Sequence, residues 1–237
     1  MTTTTTRQTL QPITDSTTPA GTTGARLAAA AGIAFVVLSV ASTVSAGSPP
    51  AADASAAKVA SYFHTHSGGI RAQLLLGGLG IAALVWWFGA VWRVLSRAEG
   101  ERPRLAIVAA LGLALGAGLA LLNGVAVATA ALRQGDAETT RLLYTLSIVA
   151  IAAAGFGLGT SLAATSAVTY RTRITPAWIS YLGFGAALAF FAGTIGTVTE
   201  RGGVVVLGLV AFVIWCVWIV AISVTLWRSA VSTAGAR

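Results

Sequence analysis

His64 and His66 form a His-Thr-His pair, and imidazoles are common ligands of zinc and copper. Asp53 lies close enough in sequence to add a carboxylate. The spacing opposes a metal site. On a helix, residues two apart point in different directions, and zinc needs three or four ligands. The pair reads better as polar residues closing a short interfacial helix, so no metal is expected. Arg71 and Arg141 stand at the mouths of two apolar runs, and Asn123, Ser147 and Thr194 lie below them within apolar sequence. With Ser42, Thr43 and Thr197 nearby, these five residues make a candidate pocket for a polar or anionic ligand. The competing reading is simpler. Each arginine snorkels to lipid headgroups, and each hydroxyl bonds its own helix. Asn123 stands out, because a carboxamide left unsatisfied in lipid costs several kcal/mol.

Other chemistries lack their residues. No Asp, Glu, Lys or His lies in the middle of an apolar run, where proton-coupled carriers place their relays. Gly159-Thr160-Ser161 begins like an intramembrane protease motif, but Leu162 stands where that motif wants glycine, and no intramembrane histidine can serve as base. There is no His-Glu-x-x-His, no intramembrane aspartate pair and no glycine-rich phosphate loop after a strand. The single cysteine, Cys216, has no intrachain partner. The sequence therefore calls for no cofactor and no enzymatic activity.

The elements that position these groups follow from composition. Of 237 residues, 56% are hydrophobic and 9% charged, with a mean hydropathy of +0.81. Soluble domains carry about 25% charged residues, so most of this chain is solvated by lipid. A spanning helix takes about 20 apolar residues. Six runs qualify: 27–46, 73–95, 105–132, 141–168, 179–198 and 204–227. The expected fold is all-α, a polytopic bundle of six transmembrane helices in three antiparallel hairpins.

Residues 1–26, with the run Thr2–Thr6, read as a disordered cytoplasmic tail. Residues 27–228 form the membrane domain, and 229–237 a short cytoplasmic tail. Val44-Ser45-Ala46 has the small residues of a signal-peptidase site, but the region before it is long and carries few positive charges, so the first helix is expected to be retained. After Gly47-Ser48-Pro49-Pro50, an outer-side helix is expected over about 53–64. Asp53 is its expected N-cap, Ala56, Val59, Ala60 and Phe63 form its apolar stripe, and Ser67-Gly68-Gly69 ends it. Asp136 is placed to cap the fourth run. Thr199–Gly203 is short enough for a helical hairpin. A faint internal echo links Asp53-Ala54, Lys58 and Tyr62 with Asp136-Ala137, Arg141 and Tyr144.

The formal net charge of +8 reflects orientation rather than nucleic-acid binding. With the N-terminus inside, ten basic residues face the cytoplasm and five face outward. Both termini are therefore expected in the cytoplasm, with Trp92, Trp178 and Trp227 at the inner interface. Gly112 and Gly116, and likewise Gly155 and Gly159, have the spacing that lets helices approach closely in lipid. Packing within the bundle explains them more simply than a homo-oligomer.

The stretch Asp53–Val59, the Gly68-Gly69-Ile70-Arg71 segment and a helix ending in Arg93–Glu99 resemble uncharacterised six-helix integral membrane proteins of high-GC actinobacteria, a membrane domain family of unknown function. The resemblance covers about residues 27–227 and implies a plasma-membrane location, no known reaction and no catalytic residues. Two function classes stay open. One is a non-enzymatic protein that binds a membrane partner or senses at the outer face. The other is a passive or secondary transporter of a small polar or anionic solute. A polar path from Asn123 to Thr160 and Ser161 would favour transport, and a dry, glycine-packed interior the first class.

Overall fold

The computed structural model describes residues 20–133, 136–198 and 204–235, with side chains for 23–132, 136–197 and 207–228. Among these the chain is all-α. Its helices are α1 (Ala20–Ser45), α2 (Ala56–Thr65), α3 (Ser67–Glu99), α4 (Arg104–Arg133), α5 (Ala137–Thr172), α6 (Ala177–Val198) and α7 (Val204–Gly235). All but α2 are long and apolar enough to cross a membrane, which makes the chain a multi-pass membrane protein. The turn expected at 199–203, and Arg7, Arg201 and Arg237, lie outside the described residues.

Each long helix packs on the next, and α7 returns to α1, so the three hairpins close into a ring. Lipid gives helices no hydrophobic reason to associate, so contact depends on close packing and interhelical hydrogen bonds. Aromatic rings fill the centre. Trp215 meets Phe35 at 5.1 Å and Phe190 at 5.9 Å, and Trp87 meets Trp218 edge-to-face at 6.0 Å. Such pairs prefer this edge-on geometry. Phe88, Leu113, Leu158 and Leu162 complete the core around them.

Glycine sets the closest contact, between α4 and α5. A Cβ on Gly157 would stand 2.4 Å from the backbone nitrogen of Gly116, and one on Gly112 would stand 2.8 Å from the carbonyl oxygen of Gly157. Gly155 and Gly159 face the other way, against Thr194, Phe190 and Phe191 of α6. Both spaced pairs thus act inside the bundle. The sequence reading had not paired Gly157 with them.

Several expected boundaries are corrected. Ala20–Arg26 are already helical, although they were assigned to the N-terminal tail. Arg26 reaches the ring of Trp227, its guanidinium 5.9 Å from the ring centroid. At the other end α7 continues to Gly235, because Ser229–Ala234 contain no proline to stop it. Ser55 rather than Asp53 caps α2, its Oγ accepting from the Lys58 N–H. Ser67-Gly68-Gly69 does not end α2; His66 alone joins α2 to α3. Gly69 is required by packing instead, since a Cβ there would stand 2.2 Å from the Ser45 carbonyl oxygen.

The helix ends are satisfied locally. The Glu99 carboxylate accepts from the N–H groups of Leu105 and Ala106 (3.1 and 2.7 Å), an anion at the positive end of α4. Asp136 caps α5 as expected, accepting from the Thr139 N–H and from Thr139 Oγ1, both at 2.8 Å. Those bonds hold its carboxyl below the usual carboxylate range. Arg173 ends α5 in the left-handed region at φ 53°.

Two predictions follow from this packing. Gly157→Ala should destabilise the bundle by about 1–3 kcal/mol, the usual cost of overpacking, while Gly118→Ala, which meets nothing within 4 Å, should leave the thermal midpoint in detergent unchanged. The second concerns α1, which lays Gly32 and Phe35 against the core. Intact-mass spectrometry of protein from its native membrane should find α1 retained. A new N-terminus at Gly47 would contradict this.

Candidate functional site

Of the five expected pocket residues, the structure joins Asn123 to Ser147 and engages Thr194 elsewhere on α5. Arg71 and Arg141 are exposed, at the α2 end of the bundle. Asn123 and Ser147 do meet: Asn123 Nδ2 donates to the Ser147 backbone carbonyl at 2.9 Å, joining α4 to α5. Ser147 Oγ turns to its own helix and donates to the Tyr144 carbonyl. Thr194 lies on the opposite flank of α5. Its Oγ1 is 2.7 Å from the Ala152 carbonyl of α5 and 3.0 Å from the Phe190 carbonyl of its own helix. Asn123, Ser147 and Thr194 are thus engaged within or between helices.

Other hydroxyls act in the same way around the ring. Ser42 Oγ donates to the Gln73 carbonyl at 2.9 Å, linking α1 to α3. Trp87 Nε1 donates to Ser223 Oγ at 3.0 Å, linking α3 to α7. Thr169 and Ser180 share a hydrogen bond of 2.9 Å between α5 and α6. Thr160 bonds only its own helix, at the Phe156 carbonyl. Between Asn123 and Ser161 the glycines of α4 and α5 press backbone against backbone.

The α2 end carries the most elaborated surface. Val59 and Phe63 of α2 pack on Ile70, Ala130, Ala131 and Tyr144 in a second, smaller core. Two phenols then hold the connection between α1 and α2. Tyr62 Oη donates to the Ala46 carbonyl at 2.6 Å, and Tyr144 Oη donates to the Pro50 carbonyl. Burial raises the Tyr62 phenol above its ordinary value, so it remains a donor at neutral pH. Tyr62 and Tyr144 are the two tyrosines of the internal echo. Both serve the same strap, a shared role that sequence spacing could not show.

His66 stacks on Tyr62 with centroids 4.7 Å apart, and its Nδ1 lies 3.2 Å from the Tyr62 carbonyl. His64 is exposed on the far side of α2. Among the described residues no three His, Cys, Asp or Glu side chains converge. Both histidines are exposed at the cap. Lys58, Ser61, His64 and Thr65 are all exposed and recur at helical spacing, giving α2 one polar outward face.

At the opposite end of the bundle, α5 carries Ser161, Thr165, Ser166 and Thr169, all buried. Their spacing puts hydroxyls on one side of the helix. Hydroxyls four apart within an apolar run are the sequence signal for this cluster. Ser161 also lines a cavity of about 10 Å³, walled by Trp87, Leu158, Trp215 and Trp218.

No family model matches this chain, and no characterised protein or solved structure is detectably similar to it. The reading of the site therefore rests on its own geometry.

Two substitutions test these assignments. Asn123→Leu should destabilise the bundle by about 0.6 kcal/mol, the average for an interhelical polar bond in a membrane, read as a small shift in detergent unfolding. Tyr144→Phe should cost about 1 kcal/mol and speed amide exchange across residues 47–54, with the far ends of α5 and α6 unaffected. Unchanged exchange there would show that the strap is held by other means.

Proposed function

We propose that this chain is a non-enzymatic plasma-membrane protein that recognises a membrane partner through the outward face of α2. Both termini are cytoplasmic in this reading, from the ten-to-five distribution of basic residues. The observation that carries it is the contrast between interior and cap. Inside, Asn123, Thr194, Ser42 and Trp87 are engaged in helix–helix bonds. Outside, Lys58, Ser61, His64 and Thr65 face solvent on a helix that is buried on its other side and strapped by two tyrosines. A rigid, polar, exposed helix face loses little conformational entropy on binding, which favours recognition.

The transport reading finds less support. The centre of the ring is filled by Phe35, Trp87, Trp215 and Trp218, and the α4–α5 contact is closed by Gly112, Gly116 and Gly157. Solute passage would require those aromatic rings to move together.

Photo-crosslinking in the native membrane tests the proposal. A crosslinking residue at Ser61 or His64 should give one discrete adduct mass, and the same residue at Glu101 should not yield that adduct. Absence of an adduct from both cap positions would overturn the reading. The orientation is checked separately. In a Cys216→Ser background, an impermeant thiol reagent applied to intact cells should label His64→Cys and not Glu101→Cys.

A further inference from the structure

The two ends of the bundle differ in charge. Among the described side chains, the α2 end has three basic and three acidic groups besides its histidines. At the opposite end α1, α4 and α6 begin and α3, α5 and α7 finish. That end has eight arginines, all exposed, and two glutamates. One of the two carboxylates, Glu99, is committed to the N-terminus of α4. Among the described residues no ion pair neutralises these guanidiniums.

The α5–α6 turn sets part of this charge beside aromatic rings. Arg171 lies in the last turn of α5, and Arg173 follows its end. No acidic residue stands between Glu138, at the far end of α5, and Glu200. Arg173 adopts the left-handed conformation at φ 53°, where glycine is the favoured residue. An arginine there keeps a charge that the backbone alone would not select. Tyr170 of α5 and Tyr181 of α6 meet with ring centroids 5.6 Å apart, and Trp178 precedes Tyr181 by three residues on α6. Tyr170, Trp178 and Tyr181 are 48%, 56% and 59% exposed. At the other end Tyr62 and Tyr144 are spent on the strap. Here the two tyrosines face outward.

Tyrosine and tryptophan at the ends of spanning helices sit at headgroup level, ring body toward hydrocarbon and polar tip toward water. A guanidinium presents a planar fork of N–H donors that matches phosphate. Membrane orientation needs only basic residues near the helix ends. It does not need them on one short turn beside two tyrosine rings in contact. We infer that the α5–α6 turn binds an anionic phospholipid, with Arg171 and Arg173 donating to its phosphate and Tyr170, Trp178 and Tyr181 against its glycerol region. Phe184 and Leu188 continue the exposed face of α6 from Tyr181 at helical spacing. The acyl chains run along them, which selects a lipid over a free phosphate. This inference is independent of what α2 recognises and of which leaflet this end faces.

Native mass spectrometry of the protein released from nanodiscs of equal phosphatidylglycerol and phosphatidylcholine tests this. A retained phosphatidylglycerol adduct should exceed its phosphatidylcholine counterpart on the order of tenfold, as two arginines near an anionic headgroup imply. The double variant Arg171→Gln, Arg173→Gln should bring the two lipids to parity. Arg102→Gln with Arg104→Gln, the same charge change on the α3–α4 turn, should keep the preference. Equal retention of both lipids by the unmutated protein would overturn the inference. So would an unchanged preference in the first variant, or an equal loss in both, which means a diffuse field over the whole end. A second arm separates lipid from free anion. In detergent, phosphatidylglycerol should raise the thermal midpoint and inorganic phosphate should not; an equal rise with inorganic phosphate would assign the site to a soluble anion and sink the lipid reading. Should the variants not fold, photoactivatable phosphatidylglycerol with the unmutated protein decides the matter. Its crosslinks should concentrate within 170–188, and an even spread over the lipid-facing helices would count against the site.

Discussion

Inside a bilayer, a polar group that finds no partner within the protein finds none at all, and this constraint organises the bundle. Backbone groups meet it by forming helices. The side chains meet it across helix pairs: Ser42 for α1 and α3, Asn123 for α4 and α5, Thr194 for α5 and α6, Trp87 for α3 and α7. Each bond is modest alone. Together they tie ring neighbours to each other and, through Trp87, link α3 to α7 across α1. Asn123 and Thr194, two members of the expected ligand set, fasten helices together.

The same constraint explains the glycines. Without hydrophobic attraction between helices, affinity comes from dispersion at short range, and backbones must come close to gain it. Gly112, Gly116 and Gly157 let α4 and α5 touch through their main chains. Near the α5–α6 turn the solution differs, because tryptophans and hydroxyls fill the centre there. There Gly183 of α6 is needed for the same reason, since a Cβ on it would stand 2.1 Å from Ser166 Oγ and 2.6 Å from Trp218 Nε1.

At the α2 end the chain leaves lipid, and ordinary soluble-protein physics returns. α2 has a buried apolar side and an exposed polar one, a capped start at Ser55 and its own small core. Tyr62 and Tyr144 reach the strap from different helices and bind carbonyls that proline and glycine leave without helical partners. The cap is consequently anchored to α1, α3 and α5 together. A surface held that firmly suits recognition, which is why the functional proposal is placed there.

Composition and hydropathy alone determined the six spans, the all-α class and the cap helix, because lipid demands long uninterrupted apolar runs and those are visible in one dimension. The Asp136 cap and the apolar stripe of α2 were equally legible, since both depend on residues only a few positions apart. Tertiary structure decided the rest. A carboxamide at Asn123 signals the need for a partner, but its acceptor is a backbone carbonyl, which every residue carries and no sequence pattern marks. Gly157 as the counterpart of Gly112 and Gly116, the paired duty of Tyr62 and Tyr144, and the separation of Arg71 and Arg141 from Thr194 all depend on helix rotation and height. Those are set by contacts between residues far apart in the chain, whose spacing in sequence carries no record of them.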